Sequence, residues 1–142
     1  MAAPKVSRRV INTRVRRDGK RIQNAILLGL PTDECDAVVK KLEFVKLPAN
    51  SVLQEAGPIK FAYFINSGLA SVLNQENVEV GLAGKKGFIG QSLANGFNSS
   101  PMRIVMKSSG SAYRITSSHF AEALSHSAKL AQQLGRFASH SI

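Results

Sequence analysis

The side chains able to do acid–base, nucleophilic or metal chemistry are few in this chain and stand apart from one another. His119 and His126 are separated by seven positions and His140 lies close to the C-terminal end, so no two histidines fall at the i, i+4 spacing that sets a pair of metal ligands on one helix face. The stretch from Glu43 to Thr116, which a metal-bearing β-body would need to populate, contains no histidine at all. Cys35 is the lone cysteine, which excludes an internal disulfide, a cysteine-based structural zinc site and an iron–sulfur cluster. No Gly-x-Ser-x-Gly elbow is present, and Cys35 has no neighbouring histidine in sequence to activate it. The chain therefore reads as non-catalytic, with no metal and no resident cofactor expected.

Charge is the other chemical resource, and it is unevenly spread. The 142 residues carry a formal net charge of +10. Residues 1–24 hold eight basic side chains (Lys5, Arg8, Arg9, Arg14, Arg16, Arg17, Lys20 and Arg21) against the single acid Asp18, while the rest of the chain is nearly balanced. The run Arg14-Val15-Arg16-Arg17-Asp18-Gly19-Lys20-Arg21 lacks aromatic residues that would stack on bases. Such a segment, with Arg8, Arg9, Arg14, Arg16, Arg17, Lys20 and Arg21 as its contacts, suits salt-sensitive, nonspecific attachment to a phosphate backbone. Its scattered valines and isoleucines offer no period, so residues 1–23 read as a basic arm that stays disordered when free.

Elements that would position these groups follow from periodicity. After an apolar patch at Ala25–Leu30 and Pro31, Thr32 or Asp33 can cap a helix that runs to about Leu42. From Glu43 the period becomes two. Strand-like stretches at 44–47, 52–55, 61–65, 69–73, 78–82, 102–107 and 112–115 are separated by Gly, Pro and Asn turns, the pattern of a β-sandwich, jelly roll or small barrel. Past Thr116 the period returns to 3.6: Ser117 or Ser118 can cap one helix, and Ser127 another on which Leu130, Leu134 and Phe137 form a single apolar stripe. No apolar run is long enough to span a bilayer and no signal peptide is evident, so a cytoplasmic protein without a membrane partner is expected.

Two stretches carry a resemblance. Asn24-Ala25-Ile26-Leu27-Leu28-Gly29-Leu30-Pro31 with the segment from Leu47 to Gly68, and Val78 to Gly90, resemble the effector domain of Crp/Fnr-type bacterial transcription regulators over about residues 24–142. The resemblance implies a mainly β fold with flanking helices, the cyclic-nucleotide-binding-like β-roll or double-stranded jelly roll, ending in a dimerisation-type helix. It further implies a homodimer in which Leu130, Leu134 and Phe137 pair with their symmetry mates; the alternative for the same stripe is core packing against the β-roll. In nucleotide-binding relatives a Gly-Glu-Leu-Gly/Ala turn opens a short helix and a later arginine neutralises the cyclic phosphate. The corresponding segment here is Gly87-Phe88-Ile89-Gly90-Gln91-Ser92; Phe88 stands at the acidic position, Ser100 near the arginine position, and Arg103 three residues beyond. The cassette reads as degenerate, and cyclic nucleotide is disfavoured as a ligand.

Such regulators place a helix-turn-helix after the dimer helix, a module of roughly 50 or more residues. A chain of 142 residues leaves no room for it, so the expected function is that of a sensory and dimerisation domain lacking the part that reads DNA. The alternative is a small basic protein that contacts nucleic acid nonspecifically through its arm, with the β-roll as scaffold.

Overall fold

The computed structural model describes residues 21–136. Within them, four helices and eight strands follow one another before the terminal helix. They are α1 (Ala25–Leu28), α2 (Thr32–Val39), β1 (Glu43–Leu47), β2 (Val52–Gln54), β3 (Gly57–Pro58), β4 (Phe61–Leu73), β5 (Glu79–Ala83), β6 (Phe88–Ile89), α3 (Gln91–Ala94), β7 (Ser99–Ser100), β8 (Arg103–Thr116), α4 (Ser117–His126) and α5 (Ala128–Arg136). A six-stranded antiparallel sheet runs β1-β8-β4-β5, with β2 added to β8 and β6 to β4; β3 and β7 form a separate ribbon. The chain is thus a mainly antiparallel β-roll with flanking helices, as the alternation of apolar residues requires.

The long strands β4 and β8, of 13 and 14 residues, are the spine. Sequence reasoning divides each in two at Asn66-Ser67-Gly68 and at Ser108-Ser109-Gly110. The chain instead runs straight through both places, with register shifts between Ile65 and Ala70. These irregularities bend the paired strands, so the predicted turns are bulges that let one sheet curl over itself. At the bend the backbones nearly touch: a Cβ on Gly110 would lie 2.0 Å from the Ser67 carbonyl oxygen. Only glycine fits there.

Because side chains alternate along β4, Ala62 and Phe64 face the helices while Tyr63 and Ile65 face the interior of the roll. Phe64 stacks on Phe88 with ring centroids 5.9 Å apart, and both approach Phe120 of α4 at 6.4 and 6.1 Å. All three are fully buried, and burial of each contributes about 1.5–3 kcal/mol. Inside the roll, Leu53, Ile65, Val72, Ile89, Ile104 and Met106 make a second core.

Several expectations change here. Ile22, assigned to the arm, is 2% exposed within the helical core, so the folded domain starts before Asn24. Helix α2 has Pro31 at its N-cap and no side-chain cap, and it ends at Val39 rather than Leu42. Thr116 caps α4 in place of Ser117 or Ser118, its hydroxyl accepting from the His119 N–H at 3.3 Å. Ser127 caps α5 as read, accepting from the Leu130 N–H at 3.0 Å while donating to the Glu34 carboxylate.

The terminal stripe is the largest correction. Leu130 and Leu134 are 0% and 2% exposed in the single chain, packed with Ile26, Leu27 and Phe120 in the helical core. Their apolar surface is already covered by their own domain and is not available to a symmetry mate. Phe137 lies outside the described residues.

One polar side chain ties these layers together. Asn24 is fully buried; its Nδ2 donates to the carbonyl oxygens of Ile65 and Gly87 at 2.7 and 2.8 Å, while its Oδ1 accepts from the N–H groups of Ile26 and Leu27 and so caps α1. Asn24→Ala would leave two carbonyls and two amides buried without partners, lowering the unfolding free energy by about 2–4 kcal/mol in urea denaturation. Asn24→Asp keeps the cap acceptor but turns a carboxylate toward the two carbonyls. It should be at least as damaging, whereas recovery of wild-type stability by Asp would show that the cap, not the bridge, matters.

Candidate functional site

The glycine-rich segment that sequence reasoning singles out divides between core and cavity. Phe88 and Ile89 form strand β6 and are fully buried, Phe88 in the aromatic cluster and Ile89 inside the roll. Gly87 is buried too, and its carbonyl serves Asn24. None of these three lines a cavity. Gly90 turns the chain: its φ of +137° and the 2.9 Å that would separate an added Cβ from the Cβ of Ala62 both demand glycine. The residue that follows this glycine and opens α3 is Gln91, whereas Phe88, expected at the acidic position, lies in the buried strand before it. Sequence reasoning anchors the pattern on Gly87 because the backbone angle that distinguishes Gly90 is a property of the fold.

Gly90, Gln91, Ser92 and Asn95 form one wall of a cavity of about 260 Å³. Ser100, Pro101, Met102 and Ile104, with Gln54 and Ile59, form the other. The β3–β7 ribbon closes it, through the Gly57–Ser100 and Pro58–Ser99 pairs and the Ile59 N–H bond to the Asn98 carbonyl at 2.9 Å. Its polar groups largely satisfy one another. The Gln54 amide donates to the Met102 carbonyl at 3.1 Å, the Ser100 hydroxyl accepts from the Met102 N–H at 3.2 Å, and the Gln91 amide donates to Asn95 Oδ1 at 3.2 Å. The remaining oxygen of Gln91 is buried with no partner.

Every side chain lining this cavity is uncharged. Arg103, a candidate for the phosphate contact, is not among them; its Nε donates to the Glu55 carboxylate at 2.9 Å on the surface. The cause is the two-residue period of β8. Ile104 points inward and Met102 lines the cavity, so Arg103 between them points out. Of the cassette residues expected from sequence, Gly90, Gln91, Ser92 and Ser100 meet at the cavity, while Gln54, Asn95 and Met102 join them without having been foreseen. The alternation Met102, Ile104, Met106 is the available signal for Met102.

A larger groove of about 490 Å³ lies on the other side of β2, lined among others by Leu53, Glu55, Lys60, Phe61 and Tyr63. Two of its lining residues, Phe61 and Tyr63, are held by contacts with their neighbours. Arg114 bonds Glu43 at 2.8 Å and places its guanidinium 4.1 Å above the Phe61 ring, while the Tyr63 hydroxyl donates to the Leu53 carbonyl at 3.2 Å. Burial pushes the Tyr63 phenol above its ordinary value, partly opposed by the hydrogen bond from Arg114.

His119 and His126 line one small pocket of about 140 Å³ together with Glu34 and Glu122, and His140 lies outside the described residues. Glu122 and His126 lie one turn apart on α4, a pair that sequence reasoning misses. His119 and His126 are both exposed, and among the described residues no three His, Cys, Asp or Glu groups come together as a metal site would require. Of the arm's basic residues, only Arg21 is described, as an exposed residue; Arg8, Arg9, Arg14, Arg16, Arg17 and Lys20 lie outside the described residues.

The Tyr63 shift has a testable sign. A phenol raised in the folded state stays protonated after its unfolded counterpart has ionised, so its contribution is complete below about pH 10 and is lost as pH rises through the folded value. Urea midpoints measured between about pH 8 and 11 should therefore fall more steeply for the wild type than for Tyr63→Phe. Parallel curves would rule out a titrating Tyr63.

No family profile and no curated protein sequence matches this chain. Among solved structures, the sensor domain of the transcriptional regulator DNR from Pseudomonas aeruginosa is similar, with 12% identity and a TM-score of 0.66 over 82% of this chain and 87% of that one. So is the regulatory subunit of a cAMP-independent protein kinase A from Trypanosoma brucei, at 18% identity and a TM-score of 0.68, covering 82% of this chain and 42% of that one. The regulatory domain of Toxoplasma gondii PKA, solved with cAMP, is similar at 16% identity and a TM-score of 0.66, covering 82% of this chain and 46% of that one. This chain thus spans less than half the length of the two kinase regulatory structures. The likeness establishes the fold as the cyclic-nucleotide-binding β-roll.

Proposed function

We propose that this chain is a non-catalytic sensory domain of a Crp/Fnr-like transcription regulator whose pocket does not take a cyclic nucleotide. The observation that carries the reading is the uncharged lining of the 260 Å³ cavity, in which Met102 occupies the inward position next to Arg103 and an unpartnered Gln91 oxygen is buried. A cyclic nucleotide brings a phosphate that bears a full negative charge, and desolvating it without a cation or several convergent donors is costly. Here it would meet hydroxyls and amides that are largely engaged with one another, a thioether, and no cation. The sensor domain of DNR supports a regulatory role for the fold, and the pair of kinase structures, one cAMP-independent and one solved with cAMP, has the same architecture on both sides of the ligand question.

Titration calorimetry with cAMP and with cGMP should register no binding at ligand concentrations up to about 1 mM, whereas a Kd near or below about 10 μM would overturn the reading. The double variant Gln91→Glu with Met102→Arg places an acceptor for a ribose hydroxyl and a guanidinium on opposite walls of the cavity. It should gain measurable cAMP affinity, by roughly tenfold or more relative to wild type.

A further inference from the structure

We propose that the folded domain itself carries a track for the phosphate backbone of duplex DNA, along the end at which the basic segment joins it. This inference is independent of the cavity and its ligand. It starts from a row of residues. Lys46 on β1 is paired with Ser111 on β8, which is paired in turn with Ser67 on β4, and the two hydroxyls are 2.9 Å apart. Directly opposed residues of antiparallel strands share a face, so Lys46, Ser111 and Ser67 stand side by side.

Two grooves meet at this row. One, of about 410 Å³, is lined by Lys46, Ser67, Ser109 and Ser111; the other, of about 320 Å³, by Gln23, Asn66, Ser67 and Lys85. No acidic side chain lines either. Asn66 fixes the start of the described chain beside them, accepting from the Gln23 N–H at 2.6 Å and donating to the Arg21 carbonyl at 3.0 Å. The Ala25 N–H bonds the Lys85 carbonyl at 2.7 Å, which holds the Lys85-Lys86 turn against the same segment.

Among the described residues no acid forms an ion pair with the cations at this end. The ion pairs among the described residues join Arg103 to Glu55, Lys107 to Glu79 and Arg114 to Glu43, and none engages Arg21, Lys46, Lys85 or Lys86. Lys46 and Lys85, with the hydroxyl and amide donors between them, match what backbone recognition uses: basic side chains for charge, Ser, Asn and Gln for phosphate oxygens; Arg21 and Lys86 adjoin them in the chain. The seven further basic residues of positions 1–20 precede this end directly in the chain. A membrane surface fits less well, because none of the exposed large apolar side chains, Val52, Val78, Val80, Leu82 and Phe97, lines either groove.

The test is fluorescence anisotropy of a labelled duplex of about 20 base pairs with the full chain over a range of salt concentrations. Wild type should bind with a strong salt dependence. Lys46→Glu with Lys85→Glu should weaken binding at low salt by roughly tenfold or more and flatten the slope of log K against log salt by about 2, near 0.9 for each phosphate no longer neutralised. The charge-matched pair Lys60→Glu with Lys129→Glu, set on other faces, should change the slope by less than half as much. If Lys46→Glu/Lys85→Glu melts below wild type, Lys46→Ala with Lys85→Ala supplies the slope instead. Equal weakening by both charge-reversed pairs, an unchanged slope, or no binding at low salt would overturn the proposal. So would a preference for vesicles of phosphatidylserine over the duplex.

Discussion

A buried side-chain amide with nothing to bond costs several kcal/mol, and one with every donor and acceptor engaged instead fixes the groups it touches. Asn24 is of the second kind. Its four hydrogen bonds join the first helical turn, the middle of β4 and the loop before β6, adding to the Ala25 N–H bond to the Lys85 carbonyl and to the short β4–β6 ladder. The position of the Lys85–Gly87 loop sets where β6 enters the sheet, and β6 carries Phe88 into the aromatic cluster that holds α4. The turn at Gly90, and with it the cavity wall, follows two residues later. Packing of the helical layer and placement of the pocket are therefore both tied to one polar contact at the N-terminal edge.

The cavity and the surface grooves divide polarity in opposite ways. Strand alternation sends the charged residues of β8 outward, where Arg103 and Arg114 find carboxylates, and leaves the inward positions to Met102, Ile104 and Met106. The interior consequently has hydrogen-bonding capacity without charge. The end of the roll near Asn66 has charge without compensating acids. A ligand and a macromolecular partner, if both engage this domain, would do so at places that share strand β8 but none of the same side chains.

How much of this is legible in the sequence depends on what decides each feature. The roll itself is readable, because period-two apolar runs and punctuating Gly, Pro and Asn residues are local signals. The division of β4 and β8 into pairs of strands fails since Gly68 and Gly110 mark a bend as readily as a turn, and only the partner strand tells the two apart. The stripe of Leu130 and Leu134 is recognisably apolar, but a stripe does not say what covers it; Gln133, donating to the Gly29 carbonyl at 3.0 Å, shows α5 laid on α1. That Phe88 falls in the core and Gln91 on the cavity wall is decided at the turn of Gly90, whose backbone angle is not written in the residue type. Arg103 is displaced from the cavity by a single step of alternation. Asn24 itself gives no sign, since an asparagine before an apolar run looks like any helix cap.

The close crossing of β4 and β8 has a kinetic side. Phe61 pairs with Thr116 and Asn24 reaches Gly87, so the central ladder and the contact that secures it join parts of the chain that are far apart in sequence. Contacts of that kind are formed late, after loop closure has been achieved, and they make folding slow relative to helical proteins of this size. During synthesis β4 can pair with β5 and β6 as they emerge, but the edge that faces β8 must wait for the whole of that strand. Until then the bend at Gly68 has nothing to bend against, and the apolar residues of β4 remain open to wrong partners.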